Sequence, residues 1–146
     1  MRGKAKAFEF LEHTADVYIA AYGRDLDEAF ENAALAMFET MTDTETVKPS
    51  VEETVEAEGY DKQSLFYDWL EQLLILFEIK NLLCSRFRVQ RIEKTEEGLR
   101  LNAKVYGEPF EPRRHKQKVG IKAVTYHRME ILEGPRGVTI KFILDI

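Results

Sequence analysis

The chain has 146 residues, 45% of them hydrophobic and 32% charged, with a formal net charge of −5. That balance describes a folding chain rather than a disordered one and excludes nucleic-acid binding driven by bulk charge, so only local basic patches stay in play. The lone Cys84 excludes an internal disulfide and a multi-cysteine zinc site; with no leader-like start and no apolar run near the ~20 residues needed to cross a bilayer, the chain reads as a cytoplasmic protein without membrane contact.

At this length a single domain over residues 1–146 is expected, and there is no repeat, low-complexity tract or linker. Phe8 to Leu11 predicts a short strand. The polar stretch Glu12-His13-Thr14-Ala15-Asp16 interrupts it, and Val17 to Tyr22 resumes as a strand apolar on both faces, expected to be central and covered. Gly23-Arg24-Asp25 breaks that strand. Asp25 is the expected N-cap of a first helix, with Glu28 completing a capping box, and Leu26, Ala29, Phe30, Ala33, Met37, Phe38 and Met41 form its buried stripe. After a polar loop, Val51, Val55 and Ala57 alternate with Glu52, Thr54, Glu56 and Glu58, which predicts an edge strand with one acidic face. Asp61 or Ser64 caps a second helix to about Asn81, apolar widely enough to be buried on most sides.

Arg86 to Ile92 and Leu99 to Tyr106 predict a hairpin around a Glu/Lys/Gly turn. Residues 107–118 read as an exposed basic loop, its Arg113, Arg114, His115, Lys116 and Lys118 being either solvated or a contact for RNA or an acidic surface. Val119 to Leu132 reads as one long strand with His127 on its apolar face, and Gly137 to Ile146 as a last strand in which Val138, Ile140, Phe142 and Leu144 share the inner face. The order predicts an α+β fold: two helices packed on a mostly antiparallel β-sheet system, with two stacked sheets as one form of it.

The chemistry concentrates at a few residues. Asp145 and the carboxylate of Ile146 close the last strand, and Asp16 begins another. Oxygen donors of this kind suit calcium, magnesium or manganese, whereas the bland reading is a turn cap and a solvated chain end. His13 is a possible nitrogen ligand that would tilt the site toward a transition metal. Lys122 is either a phosphate or partner-acid contact or a stem covering the sheet. His127 is read first as a hydrogen-bonded core histidine. No phosphate loop, nucleophile elbow or HExxH helix is present, and Cys84 has no activating neighbour.

Phe10-Leu11-Glu12-His13-Thr14-Ala15-Asp16-Val17, Lys122-Ala123-Val124-Thr125-Tyr126-His127 and the terminal Leu144-Asp145-Ile146 resemble, in that order, the motifs of the archease family. The resemblance covers the whole chain. It implies a non-enzymatic accessory protein of tRNA splicing that promotes GTP- and Mn²⁺-dependent guanylylation of an RtcB-type RNA ligase and sustains its turnover. It also implies a cation site, usually calcium, at Asp16, Asp145 and Ile146, with tRNA touched weakly or through the partner. A chaperone-like modulator of a tRNA methyltransferase is the second reading within the family. A metal-dependent hydrolase is the alternative outside it, ranked lower because no acid–base pair accompanies the carboxylates.

Overall fold

The computed structural model describes residues 6–12 and 15–146. Its two helices are launched by the same device. Strand β2 (Val17–Gly23) leads into helix α1 (Leu26–Met41), and strand β3 (Val51–Gly59) into helix α2 (Lys62–Lys80). Each strand ends in glycine, and two residues later an extended aspartate caps the helix: the Asp25 carboxylate accepts from Glu28 N–H and the Asp61 carboxylate from Ser64 N–H. A Cβ at Gly23 or Gly59 would lie 2.3 Å from the backbone nitrogen of Ala29 or Leu65, so only glycine lets each helix start this close to its strand. In α2 the box closes on Ser64, whose side chain accepts from the Asp61 N–H. In α1 it does not close as expected, because Glu28 reaches past the cap to the Arg24 N–H at 2.7 Å.

The remaining strands are β1 (Phe8–Leu11), β4 (Leu82–Lys94), β5 (Leu99–Pro109), β6 (Ala123–Val124), β7 (Glu130–Gly134) and β8 (Gly137–Asp145). They form two antiparallel sheets. One runs β1-β2-β8-β6, with β7 pairing further along the same edge of β8; the other runs β3-β5-β4, which makes β3 the expected edge. α1 packs on β2 and β8 of the first sheet and on β4 of the second, while α2 lies mainly against β3. Aromatic rings carry the join. Phe66 of α2 meets Phe30 of α1 and Phe142 of β8, each at 5.1 Å, and Phe87 of β4 meets Phe38 at 5.6 Å and Trp69 at 6.5 Å. The buried Trp69 indole N–H donates to the Phe30 carbonyl at 3.0 Å, tying the helices together. The result is the expected α+β arrangement around one apolar cluster.

Four expectations are corrected. The segment from Val119 to Leu132 is two short strands, not one long one. Before β6, Lys118 and Val119 donate their N–H groups to the Met41 and Thr40 carbonyls at the end of α1, and Tyr126 to Met129 form a turn closed by a 3.1 Å bond. An extended segment hydrogen-bonded to a helix end shows the same two-residue alternation as a strand. His127 consequently sits exposed in that turn instead of in the core. The basic loop is exposed at Arg113, Arg114, Lys116 and Lys118 as expected, but Gly107 to Pro109 belong to β5 and His115 is buried, 2% exposed. Finally, α2 is less enclosed than its composition suggests, since Ile79 near its end is 75% exposed and Leu83 belongs to β4.

Candidate functional site at the end of the last strand

β8 alternates as read from sequence, with Ile140, Phe142 and Leu144 in the apolar cluster. The opposite face carries Lys141, Ile143 and Asp145. On one side β8 pairs with β2, Leu144 opposite Val17. Asp16 immediately precedes Val17, and Asp145 immediately follows its partner Leu144, so both acids adjoin the same end of that ladder. Both aspartates are half-buried, as is Ile146. On the other side β8 pairs with β6, Ala123 opposite Asp145, and the Lys122 N–H donates to the Asp145 carbonyl at 2.7 Å. The Lys122 side chain is exposed just before β6, not within a strand. The sheet therefore gathers the three motif stretches at one end although they are far apart in the chain. His13 lies outside the described residues.

The β6–β7 connection holds this end from both faces. Thr125 Oγ1 donates to the Ile143 carbonyl at 3.0 Å, and Tyr126 stacks on Tyr67 of α2 with ring centres 4.4 Å apart. Arg128 places its guanidinium over the Tyr18 ring, 5.1 Å from the centre. Tyr18 follows Asp16 by two residues. Arg128 takes φ 56°, a left-handed conformation uncommon for a non-glycine residue. Sequence reasoning missed this cation, because neither the turn nor its φ has a local signature in Tyr-His-Arg-Met.

Among the described residues no three His, Cys, Asp or Glu side chains gather as a metal cluster. Asp16 and Asp145 make two, and the third donor expected from sequence is the main-chain carboxylate of Ile146. The cavities of about 410, 290 and 370 Å³ are lined by other residues, and the acidic pair is half-buried.

A second polar cluster was not foreseen. Glu108, 6% exposed, accepts from the Lys48 N–H and the His115 Nε2–H through Oε2, each at 2.8 Å, and pairs with Arg114 through Oε1 at 2.6 Å. The Glu111 N–H donates to His115 Nδ1 at 2.8 Å, which leaves the ring proton on Nε2 facing Glu108. Lys118 binds Glu39 at 2.7 Å and Asp43 at 2.9 Å. Much of the basic run is thus committed to holding its own loop down.

The sequence model of the archease protein family matches residues 8–146. This chain belongs to the archease family. It is 46% identical over 139 residues to the protein archease of Sulfurisphaera tokodaii, covering 95% of this chain and 98% of that one. To the protein archease of Methanothermobacter thermautotrophicus it is 45% identical over 141 residues, covering 97% and 99%. The solution structure of Methanobacterium thermoautotrophicum protein 1598 superposes with a TM-score of 0.83 at 43% identity, covering 96% of this chain and 99% of that one. The archease fold is the two-helix, two-sheet arrangement described above. The name archease denotes no catalytic activity, and no helix of the described residues is long and apolar enough to cross a membrane.

Proposed function

We propose that this archease-family chain is an accessory of tRNA splicing that promotes the GTP- and Mn²⁺-dependent guanylylation of an RtcB-type RNA ligase and sustains its turnover. It acts through the acidic end of β8 on the partner's active site, not on a substrate of its own. The observation that supports this reading is that the strand ends carrying these residues adjoin: Val17 pairs with Leu144, Ala123 with Asp145, and the Lys122 N–H donates to the Asp145 carbonyl. A catalyst of its own would enclose such groups in a pocket with an acid–base pair, whereas a surface site suits insertion into another protein's cleft.

The donors fit a hard divalent cation, since they are carboxylate oxygens without a thiolate. Asp16, Asp145 and Ile146 would hold it; calcium is the ion this reading assigns, with magnesium or manganese sharing the donor chemistry. Bound there, the ion would supply fixed positive charge between the carboxylates. The chain's own groups do the rest. Asp16 and Asp145 present negative charge to a metal-bearing partner site, and Lys122, on an exposed stem, meets a phosphate or a partner carboxylate. His127, exposed in the adjoining turn, lies within the docking face. Ligase contact puts the protein near tRNA without requiring it to grip the RNA itself.

The test is to incubate an RtcB-type ligase with GTP and Mn²⁺, with and without this protein, and follow covalent guanylate on the ligase. Faster guanylylation is expected. An unchanged rate would contradict the reading.

A further inference from the structure

The outer face of the β3-β5-β4 sheet is divided by charge. β3 presents Glu52, Glu56 and Glu58, and the two cations of β5 lean toward them. Arg100, directly opposite Glu58, binds it at 3.1 Å; Lys104 binds Thr54 at 3.0 Å and Glu52 at 3.4 Å. β4, the other edge, presents Arg86, Arg88 and Arg91, all exposed, with the exposed Glu93 beyond them opposite Arg100; none of the three arginines has an ion-pair partner among the described residues. By simple alternation Arg91 would point into the core beside Val89. It does not, because a register shift between Val89 and Arg91 sets Arg91 opposite Asn102 while Arg88 faces Lys104 and Arg86 faces Tyr106. The bulge inserts one residue and returns the third arginine to the outer face. The three arginines therefore follow one another along the outer face at backbone steps of about 7 Å, two residues of strand rise on β5. The half-buried ring of Tyr106 closes one end of the row.

We infer that this arginine row is a binding track for the phosphate backbone of single-stranded RNA, with Tyr106 as a stacking surface for one base. Guanidinium groups match phosphate oxygens in a planar fork. The track runs along the outer face because the strand edge is occupied at the bulge, where the Val89 N–H donates to Glu31 Oε2 at 2.7 Å. Stacking on an aromatic ring next to a basic track is the arrangement by which single strands are held without sequence preference. An acidic protein surface would use the arginines but has no need of the ring. Net charge does not produce this affinity, because the whole chain is acidic at −5. The track lies on the second sheet, away from Asp145, and stands independently of the ligase reading.

The experiment is fluorescence anisotropy of a labelled oligouridylate of about 12 nucleotides, titrated with the full chain across a salt series. Three phosphate contacts predict a log–log salt slope of about −2. R86Q/R88Q/R91Q should weaken binding at least about tenfold at low salt and flatten that slope. Tyr106→Ala should weaken binding and leave the slope unchanged, and Asp145→Ala should bind as wild type. Unchanged far-UV circular dichroism of each variant shows that folding is not the cause. No binding by the wild type, or equal binding by the triple variant, overturns the proposal. So does arginine-dependent binding that poly-glutamate displaces and Tyr106→Ala leaves intact, since that outcome identifies an acidic protein as the occupant.

Discussion

Glu108 accepts from three donors in a nearly dry setting. The Arg114 guanidinium first, then the Lys48 N–H and His115, hold its carboxyl down from the usual 4.5 to about 2. A depressed carboxyl contributes stability that is fully present above pH 4.5 and is lost as pH falls from there toward 2. Wild type should therefore lose melting temperature across that window, and Glu108→Gln should start lower at neutral pH and fall less steeply; thermal melts between pH 5 and 2.5 check this. Thr42 offers the opposite case. It is 1% exposed, and its hydroxyl has no hydrogen-bond partner among the described residues. A buried hydroxyl left unpaired costs about 1–3 kcal/mol, so the near-isosteric Thr42→Val should stabilise the fold by about 1 kcal/mol in a denaturant titration. At this scale, sequence reading placed Asp16 and Asp145 on strand ends but took His115 for a solvated residue. Its basic neighbours suggested water, and the carboxylate that buries it lies seven residues earlier, in a strand that runs farther than the alternation showed.

The helices were readable from their ends and stripes, because caps and 3.6-residue spacing are local properties. Asp61→Ala removes the acceptor for the Ser64 N–H and should cost about 1 kcal/mol, seen as a melting point a few degrees lower with full helical content retained. The C-terminus of α2 follows the same logic: Asn81 takes φ 56° and donates its N–H to the Phe77 carbonyl. Strands were harder. The β4 bulge depends on pairing with β5, so a run such as Arg88-Val89-Gln90-Arg91 cannot show which arginine turns outward. The β6–β7 region failed for the same reason, its extended backbone being bonded partly to α1 and partly to β8.

Across the whole molecule, two sheets share one apolar cluster with two helices, and Phe66 and Phe87 link them without help from the acidic pair. The fold should therefore not depend on a bound ion. EDTA should leave the far-UV circular dichroism unchanged, while added calcium should raise the melting temperature of wild type and not of Asp145→Ala, because a ligand that binds only the folded state stabilises it by mass action. Loss of the helical signal on chelation would make the ion structural. The central claim is that Asp16 and Asp145 act on a partner from the end of β8. Single-turnover guanylylation of an RtcB-type ligase with GTP and Mn²⁺ tests it most directly, run with wild type, Asp16→Ala and Asp145→Ala, each checked by a thermal melt. Both aspartates lie off the core face, so the account predicts folded variants that have lost the stimulation. Stimulation by both variants as full as that of wild type would contradict it.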